Sequence, residues 1–412
     1  MFRYIDLFCG IGGFHQGVDR LAKQKKIKAE CIFAADNNEA VSKIYAHNYG
    51  IKCYYDLKLD KTHELIDKAV GNQELTCIFA GFPCQPFSKA GSQEGFNNQM
   101  KGTLFFEIEK IIQRHYPKYI LLENVRNLKN HDSGNTWRVI KKSLEDEGYY
   151  VDDIILSPNQ IGTIPALRER FFIMAYNKKK VFVDLKKIRF KAVDKYKKTS
   201  IYSWAKYERG LKSKYFINGM SSNLSQKHID IIDMWNDLYH RVKKGGSEFI
   251  SPIWPQFFCD SSDLNNAPEW KKKLIKKNQK FYSENKKIYD DWYCTHKKLF
   301  DSIPASFQKF EWNAGNDIDD IWQGIIQFRP SGVRVKRPDF IPTLVAINQT
   351  PILGIEKRYL TAKEMGRLYG FKNLKLLDES ETEARKQLGN TVSVDVVEHL
   401  LKHMLQVTNY FE

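Results

Sequence analysis

Short apolar runs recur through roughly the first 175 residues and alternate with stretches of helical spacing. The runs YIDLF (4–8), CIFAAD (31–36), CIFAGF (77–82), YILLEN (119–124) and RFFIMAY (170–176) are apolar at nearly every position. Strands read this way when both of their faces are covered. Between them, 13–24, 38–48, 62–70, 103–115 and 134–147 carry helical periodicity. The alternation predicts an α/β fold, a doubly wound and mostly parallel sheet with helices on both faces. Ligands of such sheets bind at the carboxyl ends of the strands.

After Tyr176 the pattern breaks into NKKKVFVDLKKIRFKAVDKYKK, the sharpest change in composition along the chain. Beyond it, 225–243 and 270–300 read as amphipathic helices. Ile229, Ile232 and Trp235, and then Leu274, Phe281, Ile288 and Trp292, recur at helical spacing. Loops rich in Gly, Pro and Ser, such as KKGGSEFISPIWPQF, separate them. The tail turns from the Gly-Asn of QLGNTV into a last helix. His399 and His403 lie four apart on it, a spacing that without an acidic partner predicts packing rather than metal binding. No internal repeat is present.

Composition narrows the class. With 42% hydrophobic and 13% aromatic residues, the chain of 412 residues has ample material for a core, and intrinsic disorder is excluded for most of it. No run of about 18 apolar residues offers a membrane span, and the N-terminal MFRYIDLFCGIGG lacks the features of a secretory signal. The seven cysteines form no close pair, Cys77 and Cys84 being the nearest neighbours. This predicts reduced thiols, neither a disulfide framework nor a zinc site, and a cytoplasmic location. The net charge is +16. Residues 178–325 hold 29 Lys/Arg against 18 Asp/Glu and seven of the eight Trp. Cations interleaved with large aromatics suit phosphate contacts and base stacking. The alternative is a lysine-rich solvated surface over a core that uses Trp.

Four motifs carry chemistry. DLFCGIGGF sets Gly10, Gly12 and Gly13 directly after a strand and before a helix, without the G-x-G-x-x-G spacing of nicotinamide cofactor sites. Asp36 ends the second run, where a carboxylate can accept from two ribose hydroxyls, and Asp56 follows an apparent strand KCYYD. Together these describe a pocket for an adenosine-type cofactor; a cap or surface role is the alternative for each Asp. AGFPCQPFSKAG holds Cys84 between Pro83 and Gln85 on a strand-end loop, the setting of a nucleophile. LLENVRNL places Glu123 at the end of an apolar strand, where poor solvation raises a carboxyl pKa and makes it a proton donor. IPALRERFFIMA sets Arg168 and Arg170 on one side of an extended segment, able to orient Glu123 and clamp a polar substrate. Ordinary ion pairs are the alternative for these three.

In that order, DLFCGIGG, GFPCQPFS, LLENVRNL, RERFFIMA and QLGNTV closely resemble the DNA cytosine-5 methyltransferases, over roughly 3–177 and 329–405. The resemblance implies a Rossmann-like S-adenosylmethionine-dependent fold. It implies a catalytic and cofactor-binding domain over 1–177 completed by 382–412, and a smaller variable target-recognition domain over 178–328. Residues 329–381 would hold the rest of the small domain and the connection back.

The same resemblance puts Phe8 on the adenine and Gly10, Ile11 and Gly12 around the methionine part. Asp36 falls on the ribose, Asp56 on the adenine amino group, and Leu104 and Asn390 elsewhere in the cofactor pocket. It makes Cys84 the nucleophile at carbon 6 of cytosine and Glu123 the donor to ring nitrogen 3. Arg170 would bind the carbonyl oxygen, and Arg168 would hold the loop and the substrate backbone. No metal is implied. Double-stranded DNA is the implied substrate, for a monomeric bacterial type II modification methylase functionally linked to a cognate restriction endonuclease. GATC is the site that overall likeness suggests. The chain departs from the family at Ala166, where a Gln is usual, and at Cys9, where Ala or Ser is common. The other readings are a tRNA cytosine-5 methyltransferase, disfavoured by the long basic insertion, and a catalytically silent DNA-binding protein on the same scaffold.

Overall fold

In the computed structural model all five apolar runs of the first 177 residues become strands of one six-stranded sheet. The structure describes residues 1–83, 104–161, 164–192, 201–203, 222–259, 267–344, 349–376 and 380–411. The chain divides into two compact units, 1–197 with 365–412, and 198–364.

The first unit runs β1 (Phe2–Leu7), α1 (Gly13–Lys25), β2 (Ala29–Ala35), α2 (Glu39–Tyr49), α3 (Asp60–Val70), β3 (Cys77–Gly81), α4 (Leu104–His115), β4 (Tyr119–Val125), α5 (Asn135–Asp146), β5 (Tyr149–Leu156) and β6 (Arg170–Asn177). The strand order is β2-β1-β3-β4-β6-β5. The first four strands pair in parallel, and β6 runs antiparallel to both of its neighbours. Two-residue alternation sends side chains to both faces. Ile5, Leu7, Ile78, Ala80, Ile120 and Leu122 pack under α3, α4 and α5 on one side. Phe2, Tyr4, Phe79, Leu121 and Met174 pack under α1 and the C-terminal helix on the other. Continuous apolar strands follow directly from this double coverage.

Two sequence expectations need correction here. KCYYD is not a strand; Tyr54 makes a single parallel bridge to Asp36 and the chain then turns away. Strand β5 was not anticipated, because Asp152 and Asp153 interrupt its apolar pattern; it is the sheet edge, where one side of the ladder meets solvent.

Helices α9 (Glu381–Asn390) and α10 (Val394–Gln406) return to this unit after α8 (Ala362–Leu368). Helix α10 packs on α1, where Gly13 and Gly17 leave room. A Cβ on Gly13 would lie 2.6 Å from Val392 Cγ1, and one on Gly17 2.5 Å from Val397 Cγ1. His403 Nε2 lies 2.8 Å from Ile188 O and His399 Nδ1 2.8 Å from Asp395 O, so both histidines serve packing.

The boundaries differ from the expected 177 and 382. Val181, Val183, Ile188 and Phe190 cover the α10 side of the sheet, and Asp184 N donates to Val407 O at 3.0 Å, which holds the lysine-rich stretch to the first unit. After the small unit, Tyr369 and Phe371 are already buried and the chain is back by Met365.

The second unit contains α6 (Gln226–Lys244), the 34-residue α7 (Glu269–Ser302), and a five-stranded sheet. Its strands are β7 (Phe310–Asn313), β8 (Ile325–Arg329), β9 (Gly332–Lys336), β10 (Ile352–Leu353) and β11 (Arg358–Tyr359), ordered β11-β10-β8-β9-β7. The two helices match the periodicity. The sheet was not anticipated, since strands of two to five residues carry too short a pattern. Trp235, Trp292 and Trp312 are buried in this core, with indole N–H groups donating to Phe307 O, Met234 O and Gly315 O. The expectation of Trp at nucleic acid is corrected for these three. Trp270 is 64% exposed, and Trp204 lies outside the described residues. No described helix is long and apolar enough to cross a membrane, and no cluster of metal-ligating side chains occurs among the described residues.

Candidate active site

The carboxyl ends of β1, β2, β3 and β4 meet at a cavity of about 520 Å³. Phe8, Gly10, Ile11, Asp36, Asp56, Leu104, Glu123, Arg168, Arg170 and Asn390 all line it. Residues from opposite ends of the sequence are therefore brought to one place. Two of the expected residues are not placed there. Gly12 faces Tyr49, whose hydroxyl donates to Ile11 O and Gly12 O at 3.3 Å, and caps α1 instead. Cys84, three residues beyond β3 in sequence, lies outside the described residues.

The loop between β1 and α1 is built by backbone sterics. Phe8, Gly10 and Gly12 have φ of 54°, 54° and 87°, a left-handed region that glycine enters without cost. A Cβ on Gly10 would meet nothing within 4 Å, so open space faces the backbone there. Gly10 N donates to Asp36 Oδ2 at 3.0 Å, and Asn38 N to Asp36 Oδ1 at 2.9 Å. Burial raises the Asp36 pKa, while these two amides act to lower it. Across the cavity Lys58 N donates to Asp56 Oδ1 at 2.9 Å and fixes the second carboxylate.

At the other end, Glu123 lies two residues before the end of β4 with a side chain only 13% exposed. Arg170 Nε lies 3.0 Å from its Oε1. β4 and β6 set this pair: Glu123 stands opposite Phe172 and Arg170 opposite Val125, so the arginine leans back along the ladder. Burial raises the Glu123 pKa against the pull of Arg170 and Arg168. The same burial, with Arg168 beside it, brings Arg170 down to about 10. Desolvation outweighs attraction here, which leaves a carboxyl able to hold a proton.

Arg168 behaves differently from the expected substrate clamp. It is 3% exposed, donating from Nη1 to the Tyr369 hydroxyl at 3.1 Å and from Nη2 to Gly389 O at 3.0 Å. The Tyr369 ring centroid lies 5.0 Å from its guanidinium carbon. It thus fastens the β6 entry to the C-terminal end of α9, which carries Asn390. Tyr369 and Asn124, whose Nδ2 donates to Phe82 O at 2.8 Å and pins the end of β3, were missed in the sequence. Asn124 sits inside the LLENV motif and could have been found there; no spacing points to Tyr369.

An S-adenosylmethionine-sized molecule fits this lining. The volume lies within the range of about 300–1,000 Å³ usual for small-molecule pockets. Two carboxylates, an aromatic ring and a Cβ-free turn stand at one end, and a buried carboxyl with its arginine at the other. Replacing Asp36 by alanine is expected to weaken cofactor binding about 10- to 100-fold, the worth of hydrogen bonds to a charged acceptor, with DNA binding nearly unchanged. Calorimetry with S-adenosylmethionine alone checks this, and an unaltered Kd would reject the assignment.

The model of the family described as C-5 cytosine-specific DNA methylase matches residues 2–406. The type II methyltransferase M.BanI of Aneurinibacillus aneurinilyticus is 30% identical over 98% of this chain and 96% of its own length. The type II methyltransferase M.AluI of Cellulosimicrobium cellulans is 28% identical over 97% and 91%. A crystal structure of a DNA modification methyltransferase encoded within an E. coli prophage has the same fold, with a TM-score of 0.55 at 17% identity, covering 99% of this chain and all of that one.

Proposed function

Because the chain belongs to the C-5 cytosine-specific DNA methylases, we propose that the cavity at the ends of β1–β4 is where it methylates carbon 5 of a cytosine in double-stranded DNA. The observation that carries this reading is the convergence, in one cavity, of the Asp36–Gly10 loop with the buried Glu123–Arg170 pair. Neither half alone specifies the reaction: the first suits many adenosine cofactors, and the second needs a planar base.

Carbon 5 of cytosine is too weak a nucleophile to accept a methyl group unaided. Addition of the Cys84 thiolate to carbon 6 converts the ring to an enamine with a nucleophilic carbon 5. Glu123 gives its proton to ring nitrogen 3 and so takes up the electron density that the addition pushes onto the ring. Arg170 donates to the carbonyl oxygen at carbon 2 and holds Glu123 in register. S-adenosylmethionine, when bound, supplies a methyl group on a positively charged sulfur. Asp36 and Asp56 hold its ribose and adenine while Phe8 packs on the ring. A water then removes the proton from carbon 5, Glu123 takes back the proton from ring nitrogen 3, and Cys84 leaves carbon 6 as the thiolate, restoring the aromatic ring. Arg168 acts at one remove, as a positioning residue. Carbon 6 is covered in a duplex, so the cytosine must swing out of the stack to reach Glu123.

Residues 198–364 serve as the target-recognition unit, and the lysine-rich charge of the chain makes DNA binding fall steeply with salt. The named relatives are type II methyltransferases; on that likeness the chain is the modification partner of a restriction endonuclease, working in the cytoplasm as a monomer. The GATC expectation has no support from the cavity or the relatives. The test is transfer of labelled methyl groups from S-adenosylmethionine to plasmid DNA and, separately, to bulk tRNA. Label in DNA alone is expected. Label confined to tRNA would favour that substrate, and none in either would leave a silent scaffold.

A further inference from the structure

The second unit holds a cavity that the chemistry above does not use. It encloses about 420 Å³ at the end of β8, walled by Phe307, Phe328 and His228, with Arg329, Thr350 and Tyr359 also lining it. The His228 ring stacks on Phe328 at 4.4 Å and 29°, and the Phe307 centroid lies 4.7 Å from that of Phe328. The Tyr359 hydroxyl, 2.8 Å from His228 Nδ1, fixes the imidazole in place. Burial and the neighbouring Lys227 lower the His228 pKa, so the imidazole is neutral at pH 7.

Arg329 is the one charged side chain among the described lining residues. Among those residues its buried Nη1 has no acceptor within hydrogen-bonding distance. Glu311 Oε2 stands 3.9 Å away and is already engaged by Arg334 Nε. Nη1 is sealed from solvent, but the Arg329 side chain is 27% exposed, so the rest of it stays open; partly balanced by a carboxylate and set among aromatic walls, it is a poor phosphate site, which calls for more positive charge and fewer rings. It suits a flat heterocycle with two acceptors on one edge. Guanine presents O6 and N7 in that arrangement on its major-groove edge, and the arginine fork matches them.

We propose that this cavity seats a guanine of the substrate DNA, with Arg329 donating to its O6 and N7, and that Arg329 thereby sets one position of the methylated sequence. The inference rests on the DNA-methylating reading above. Bisulfite sequencing of plasmid DNA treated with the wild-type protein defines the methylated site. Arg329→Gln is then expected to lose about 10- to 100-fold of the preference for guanine at one position. Arg329→Lys should relax it too, because an ammonium keeps the charge but not the fork.

A second arm leaves the protein intact: duplexes carrying 7-deazaguanine at each guanine of the site in turn. At one position kcat/KM of the wild type should fall about tenfold or more, and Arg329→Gln should be indifferent there. This arm decides the matter if the variants fail to fold. A mapped site with unchanged guanine preference in Arg329→Gln, a uniform loss rescued by lysine, or indifference to 7-deazaguanine everywhere would overturn this proposal while leaving DNA methylation standing. A wild type that methylates no DNA would take down both.

Discussion

Cys84→Ala is expected to abolish methyl transfer while leaving S-adenosylmethionine binding intact. The reason is electronic: without a nucleophile at carbon 6, carbon 5 never becomes an enamine carbon, and no arrangement of the remaining residues supplies that electron pair. The half of the cavity proposed for the cofactor is lined by Phe8, Gly10, Asp36 and Asp56, from the segments that follow β1 and β2, so its affinity should be insensitive to a change at Cys84. Single-turnover methyl transfer, alongside calorimetry with the cofactor, separates the two effects. Turnover within about tenfold of wild type, a barrier change of only about 1.4 kcal/mol, would remove Cys84 as the nucleophile.

Glu123→Gln should slow methyl transfer about 10²- to 10⁴-fold, the usual worth of a positioned proton donor. The amide keeps the shape and can still donate a hydrogen bond, but it cannot deliver a proton to ring nitrogen 3. The pH profile sharpens the test. Burial raises the Glu123 pKa above the ordinary carboxyl range even with two arginines acting against it. The acid form therefore persists to higher pH than in an exposed glutamate. The rate should fall as pH rises through that raised pKa, because the donor is then lost, and this limb should vanish in Glu123→Gln. A variant with the wild-type rate and the wild-type limb would assign both to another group. Loss of the carboxylate also frees Arg170, which then carries its charge without a partner, so a melting curve of the variant belongs beside the kinetics.

The first unit was largely legible because its strands are buried on both faces and its functional side chains sit at strand ends. Asp36 and Glu123 each follow an apolar run, and a carboxylate in that position has few structural reasons to be there. Arg168 shows the limit of such reading. Its spacing from Arg170 suggests two equivalent guanidiniums, yet only Arg170 reaches Glu123. The other is drawn to Tyr369 and Gly389, some 200 residues away in sequence. Contacts of that range leave no periodicity to find. Gly12 differs from Gly10 for a similar reason: the two glycines look alike in the motif, and only the packing of Tyr49 from α2 turns one of them away from the cavity. In the second unit, strands as short as Ile352–Leu353 are held by ladder neighbours rather than by their own pattern. Its tryptophans looked like a nucleic-acid surface, but Trp235, Trp292 and Trp312 fill the core between the short strands and the two amphipathic helices.

The central claim is that Cys84 attacks carbon 6 of a DNA cytosine and that methyl transfer follows. Plasmid DNA synthesised with 5-fluorodeoxycytidine tests it most directly. After methyl transfer, carbon 5 carries fluorine where a proton would be removed, so the enzyme stays bonded to the base. Incubation with S-adenosylmethionine, digestion and peptide mass mapping should find the modified base on the peptide that contains Cys84, and only when the cofactor is present. A covalent adduct on any other residue, or none at all with DNA that the enzyme methylates when it carries ordinary cytosine, would contradict the account.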